Sequence, residues 1–382
     1  MVENSFLGFS KSFFVKNDKD LHEAFDANNI QKFVELLQKP TTVLDDYDEY
    51  GHTVVDKAVM QQKTVFIKAL LNDKKFTSNT QQLSKLLLLL AKLIGDQNTT
   101  IFDESFDILL KLNKLNINYQ GEDGWSAISN AIYYKDHKML EKLLSHRDLD
   151  VNIRSSGGYT PLMLAISSNN NVAYEKLLAR QDTLINIQAN NKDTAFNLAL
   201  RDENKKLIQL MLNREDLDIN LPFLGLTPLM CTANKEIQIQ IIKDHRFDVQ
   251  KNLLACVRHS ECTDLVFMIL ELRGNELKKS KNIFYNHILE ALYKKNFEII
   301  KKLIDNAEIN KEKYTYLQVV FFKMVLIYQG LSTGNLAIIK DCFDKIDKLQ
   351  VTEEKKSSDA VNRSLFKTEP PPSKKDIKLK RK

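Results

Sequence analysis

Residues 151–186 read VNIRSSGGYTPLMLAISSNNNVAYEKLLARQDTLIN, and the order of residue types in that stretch decides the fold. Thr160 ahead of Pro161 is a helix start: the hydroxyl can accept an orphan backbone amide, and proline at the first helical position gives up no hydrogen bond. Leu162, Leu164, Ala165 and Ile166 then supply a short helix with a small-residue face. The polar run 168–171 turns the chain into a second helix, residues 172–179, which carries Leu177 and Leu178. Leu184, Ile185 and Asn186 lead back to the next loop. Neither helix can bury its apolar stripe alone, so such units have to stack.

The same text returns along the chain. Asn118, Asn152, Asn186 and Asn220 are each 34 residues apart, and each follows an aliphatic residue: Ile117, Val151, Ile185 and Ile219. Ser126, Thr160, Thr194 and Thr227 recur at steps of 34, 34 and 33, and Leu109, Leu143 and Leu177 give way to Met211 on the 34-residue step. Three markers holding one phase define a repeat of two short helices.

This pattern resembles the ankyrin repeat, in which the first helix opens on a Thr-Pro-Leu-His-like tetrapeptide and the unit closes on a Val-Asn pair. The matching text is Thr160-Pro161-Leu162-Met163, Thr227-Pro228-Leu229-Met230, Ser126-Ala127-Ile128-Ser129 and Thr194-Ala195-Phe196-Asn197. The family's His is replaced throughout, which weakens the hydrogen bonding it supplies between repeats. The resemblance implies an all-α ankyrin-repeat solenoid of about ten helix-turn-helix units with degenerate terminal units. Leu21-His22-Glu23-Ala24 with residues 33–37 read as a first unit, and Gly51-His52-Thr53 with Ala58, Leu70 and Leu71 as a second. Residues 83–118 read as a degenerate third unit with a lengthened connection. Residues 253–272 and 288–304 keep the rhythm, and a last pair, 319–328 and 337–346, is expected to cap the stack. The organisation expected is an arm at 1–16, ankyrin repeats at 17–250 (most regular over 118–250), degenerate ankyrin-like repeats and a cap at 251–350, and a disordered basic tail at 351–382.

Composition narrows the function classes. The chain has 382 residues, 43% hydrophobic and 27% charged, with 11 Gly and 7 Pro, which favours a folded soluble helical protein over a turn-rich sheet protein. The first fifteen residues lack the layout of a cleavable signal. The most apolar run, residues 86–94, is too short to span a bilayer and reads as a buried helix. Four cysteines are few for a disulfide framework, so a reducing cytoplasm is expected. Residues 351–382 hold ten basic and five acidic residues, leaving 45 of each in the rest of the chain. A neutral body argues against nucleic acid as a partner. A membrane partner is not expected, and the chain is expected to be a monomer. Pro370-Pro371-Pro372 and the basic stretch Lys374 to Lys382 leave nuclear import, an acidic-surface tether and plain solubilising charge all open.

Ankyrin arrays bind proteins with their loop tips and with the first helices, which line a concave face. Carried over position by position, that implies partner-binding roles for Tyr50 and His52, for Trp125, Tyr133 and Tyr134, for Tyr159, for Asp193 and Arg201, and for Phe223 and Leu226. Trp and Tyr usually dominate interface energetics, although rings ahead of a capping Thr also pack between units. At least two of Trp125, Tyr133, Tyr134, Tyr159 and Phe223 are expected to be exposed. Cys256, His259 and Cys262 have a metal-like look but lack ligand spacing, and ordinary buried cysteine is the expectation. No metal, cofactor, small-molecule substrate or catalytic residue is expected, and no phosphate-cradling glycine loop is present. The function expected is a protein–protein interaction scaffold. The Lys- and Asn-rich, degenerate text resembles ankyrin effectors of intracellular bacteria, which implies secretion into a host cell and action on a host protein. The alternative is an enzyme whose catalytic unit lies in residues 251–350.

Overall fold

The computed structural model describes residues 19–97 and 102–277, together with His287, Glu290, Ala291, Glu298, Ile299, Lys302 and Leu303. The expected arm, the tail and the last helix pair lie outside the described residues. The chain divides into two compact units, Met1–Leu217 and Asp218–Lys382. In the first, α1 (Lys19–Asp26) pairs with α2 (Ile30–Leu37), and α3 (Val54–Met60) with α4 (Thr64–Asn72), which is followed by the single turn α5 (Lys74–Thr77). Next come α6 (Thr80–Gln97) with α7 (Asp103–Leu109), α8 (Ala127–Tyr133) with α9 (His137–Leu144), α10 (Pro161–Ser167) with α11 (Asn171–Leu178), and α12 (Ala195–Arg201) with α13 (Lys205–Leu212). In the second, a 3-10 turn at Pro228–Cys231 precedes α14 (Lys235–Lys243), and α15 (Val249–Arg258) packs on α16 (Thr263–Leu277). Among the described residues the fold is all-α: isolated bridges at Gln120–Ser126 and Phe223–Leu226 are its only sheet-like pairings, and both lie in tip loops.

The caps set the helix lengths. Thr160 Oγ1 accepts the Met163 amide at 3.3 Å and Thr194 Oγ1 the Asn197 amide at 3.1 Å. Asp136, Asn170 and Asn204, one per repeat, cap the second helices by accepting the amides of Met139, Ala173 and Leu207. Between the two helices the chain turns through Lys135, Asn169 and Glu203, which take φ of +59°, +51° and +49°. This left-handed residue after the last helical turn is a common helix stop. Leu109, Leu143, Leu177 and Met211 are fully buried, so the apolar marker of each second helix is its core residue.

Neighbouring repeats are clamped through backbone carbonyls. The side-chain amides of Asn118, Asn152 and Asn186 donate to Asp148 O, Asp182 O and Asp216 O at 2.7, 2.7 and 2.6 Å, each 30 residues on. Asn118 Oδ1 and Asn152 Oδ1 accept the amides of Asp150 and Leu184 in return. Arg180 and Arg214 reach back to the open C-terminal carbonyls of the preceding second helices, Leu144 O and Leu178 O, both at 3.0 Å. Asp182 and Asp216 hold these guanidiniums in place at 2.7 Å, and the hydrogen bond from Arg180 keeps the Asp182 carboxyl below its ordinary range. These bonds connect repeats although the family's His is absent. Of its replacements, Asn197 is fully buried, and its side-chain carboxamide makes no hydrogen bond among the described residues.

Two units depart from the expected pattern. In the third, the first helix is long: α6 runs for 18 residues. No glycine or proline interrupts residues 80–94, and Leu83, Leu86, Leu87, Leu90 and Ala91 bury one continuous stripe. The second departure is the 3-10 turn at Pro228–Cys231. Thr227 stands seven residues before its partner cap Asn234, whereas Thr160 and Thr194 stand ten before Asn170 and Asn204. With three residues fewer between caps, only one tight turn fits. Eight helix pairs, counting that turn as a helix, stand among the described residues.

Candidate interaction surface

The tip loops are built alike. Gly121 N donates to Trp125 O, Ser155 N to Tyr159 O and Ala189 N to Asp193 O at 2.9, 3.0 and 2.8 Å, again 34 residues apart. Each loop lies against the next. Ser156 Oγ donates to Asp123 O at 2.7 Å and Asn190 Nδ2 to Ser156 O at 2.8 Å. Gly124 and Gly158 have φ of +75° and +79°, and a Cβ on them would stand 2.3 Å from Ser156 N and 2.7 Å from Asn190 N. The tips therefore form a fixed surface in the first compact unit.

On that surface the structure brings together three of the expected site residues. Trp125 meets Tyr133 edge to face with ring centroids 5.1 Å apart, and Tyr133 meets Tyr134 at 5.2 Å, with interplanar angles of 74° and 83°. Trp125 enters from the tip, its amide held by Asp123 Oδ1 at 2.9 Å, while Tyr133 ends α8 and Tyr134 caps it. Tyr133 is 52% exposed. Trp125, Tyr134, Tyr159 and Phe223 are half-buried. The expectation of at least two exposed rings is thus corrected to one, since ring-on-ring contact covers part of the Trp125 and Tyr134 surfaces.

The remaining positions divide. Tyr159 is tied to the neighbouring tip, its hydroxyl accepting from Asn191 Nδ2 at 3.3 Å. Asp193 is corrected outright: it is 3% exposed, and its carboxylate accepts from Asn191 Nδ2 at 2.9 Å and pairs with Arg201 at 2.7 Å. A carboxylate so enclosed orders the loop and does not face a partner. Arg201 remains exposed while holding it. Tyr50 is 77% exposed and, with His52, lines a cavity of about 300 Å³ that also takes in Asp26, Asp48, Lys57 and Met60. The Glu49 carboxylate beside it, then Asp48, raises the Tyr50 hydroxyl above the ordinary tyrosine range. In the second compact unit, Phe223 and Leu226 exchange backbone hydrogen bonds across a tight tip whose apex, Leu224, is 71% exposed.

The second helices present a different face. Lys138 is bound by Asp103, Lys142 by Asp107 at 2.5 Å, Lys176 by Glu141 at 3.0 Å and Lys206 by Glu175 at 2.6 Å, each pair joining successive repeats. Such exposed pairs are screened by water and contribute little to stability. The Asn clamps, the Arg braces and the close tip glycines are the residues that sequence reasoning left without a role. Their common signal was the 34-residue step itself.

Cys256 and Cys262 are free thiols that interact with each other. A hydrogen bond between the Cys256 and Cys262 thiols, with burial of Cys256, pushes Cys256 well above the ordinary thiol range and lowers Cys262. Among the described residues no group of His, Cys, Asp and Glu is placed to hold a metal ion, and no helix is long and apolar enough to cross a membrane.

Residues 97–189 match the family model for ankyrin repeats in three copies. No curated protein matches the chain. Among solved structures, the ankyrin repeat domain of Bcl-3, described as a unique member of the IkappaB protein family, is 20% identical with a TM-score of 0.45, over 59% of this chain and 98% of that one. The ankyrin repeat protein EF0377 is 22% identical with a TM-score of 0.41, over 52% and 98%. A chain from the predatory endopeptidase Bd0816 of Bdellovibrio bacteriovorus in complex with immunity protein Bd3460 is 22% identical with a TM-score of 0.38, over 50% and 97%.

Proposed function

We propose, from the premise that this chain is an ankyrin-repeat protein, that it is a binding platform whose tips and first helices engage a protein partner. Ankyrin repeats in general mediate protein–protein interaction. The observation that carries the reading here is the cluster of Trp125, Tyr133 and Tyr134 on a fixed tip surface, while the second helices tie up much of their charge in pairs between repeats. Large rings held in place lose little conformational freedom on binding, which is why interfaces concentrate their energy in them. The helix pair α15–α16 continues the repeat rhythm into residues 251–277, which supports a scaffold over a catalytic unit there. The likeness in text to ankyrin effectors of intracellular bacteria supports a host protein as the partner.

Quantitative affinity capture tests the reading with three forms of the full protein: intact, Trp125→Ala with Tyr133→Ala, and lacking residues 351–382. Partners should fall at least tenfold with the ring variant, the effect of losing about 2 kcal/mol at a hot spot. They should be retained when the tail is removed. The reverse outcome would place recognition in the tail and defeat the proposal.

A further inference from the structure

We infer that the corner formed by Trp125, Tyr133 and Tyr134 is a site for a cationic side chain, a lysine or arginine presented by the partner; the assignment rests on reading the tips as the binding face. Rings set at 74° and 83° with centroids 5.1 and 5.2 Å apart form adjoining walls rather than a flat stack. The face of an aromatic ring is electron-rich and attracts a cation within about 6 Å, tryptophan most strongly. Two exposed carboxylates, Glu122 and Asp123, sit on the loop that delivers Trp125. An apolar side chain would gain ring contact but nothing from those carboxylates, and an anion would be repelled by both. A cation is attracted by both.

The molecule uses the same chemistry elsewhere. Lys63 Nζ lies 4.3 Å from the centre of the Phe25 ring and 5.5 Å from that of Phe66. The tip design also recurs at the second repeat, where Glu49 precedes Tyr50 and the carboxylates of Glu49 and Asp48 hold the Tyr50 hydroxyl protonated to higher pH. Carboxylates thus precede an aromatic residue at two tips of the same compact unit. On the adjoining helix and tip, Lys138 is held by Asp103, and Arg154 donates to Gln188 O at 2.9 Å. Lys135, which follows Tyr134 and makes no ion pair among the described residues, is the in-chain rival for the site.

Trp125 is the single tryptophan of the chain, so its fluorescence reports this corner alone. The full protein is titrated with the N-acetyl methylamides of lysine, arginine and norleucine, the last a neutral chain of similar shape. Both cations should give a saturable change, at half-saturating concentrations at least fivefold below that of norleucine. Tyr133→Leu and Glu122→Gln should each weaken the cations threefold or more, while Tyr133→Phe, which keeps the ring, should not. Equal response to norleucine would overturn the cationic assignment and leave the platform reading intact. So would no saturable response, or an emission change from Lys135→Gln in a protein blind to all three probes. Cation binding at the corner together with partner capture that survives Tyr133→Leu would instead sink the platform reading.

Discussion

Between Asn118 and Leu217 each structural device returns after 34 residues; between Asp218 and Leu277 the same devices return early or in altered form. The Asn clamp reaches 30 residues ahead from Asn118, Asn152 and Asn186, but from Asn220 it reaches only 26, to Arg246 O at 2.8 Å. The three residues missing between Thr227 and Asn234 reduce a two-turn helix to one 3-10 turn, yet Ile237, Ile241 and Ile242 still bury the second helix. The arginine brace changes too: Arg273 donates to Ile242 O and Asp244 O from within α16, at 2.6 and 3.0 Å. The comparison teaches that a repeat tolerates loss of first-helix length provided its second helix stays buried and a polar side chain still reaches the neighbouring backbone.

The comparison can be broken where the regular part is most tightly coupled. Leu177 is fully buried in α11, so Leu177→Ala should lower the unfolding free energy by about 2–5 kcal/mol through the cavity left behind. Because repeats share interfaces, hydrogen exchange should quicken in α9 and α13 as well as in α11. Exchange that changes in α11 alone would show the regular region to be less cooperative than its clamps imply.

A sharper contrast comes from two glycines in the same backbone region. Gly158→Ala places a methyl against the Asn190 backbone and should cost about 2–4 kcal/mol, from left-handed strain plus overpacking. Gly225→Ala, at φ of +86° with open space around it, should cost about 1 kcal/mol, the strain alone. Urea titrations showing equal losses would mean that the tips of the regular part do not depend on close approach.

The smallest effect is expected at the caps. Thr160→Val should cost about 1 kcal/mol, because Thr160 Oγ1 holds the Met163 amide. Among the described residues the buried Thr227 hydroxyl makes no hydrogen bond, so Thr227→Val should be neutral or slightly stabilising. A loss at Thr227 as large as that at Thr160 would show that the 3-10 turn is capped in solution.

Much of this was legible in the sequence because the repeat writes its core and its caps at fixed spacing: Thr160, Leu177 and Asn186 each announce themselves by recurring. The length of α6 was not, since a leucine-rich run fits one long helix as well as a short helix and a connection. The burial of Asp193 was not, because it depends on Arg201, at the far end of α12, folding its guanidinium back, a contact with no signature in residue order. The ring cluster was visible as composition, whereas its edge-to-face geometry depends on how the Trp125 loop meets the end of α8.

The Asn clamps and Arg braces end on carbonyl oxygens of the next or previous repeat, and every residue type carries a carbonyl. At those joints a repeat places no demand on its neighbour's side chains. A unit can therefore be duplicated, deleted or exchanged along such a chain with these joints already matched, and tip residues outside the loop-to-loop contacts can diverge under selection for new partners while the clamps and braces stay unchanged.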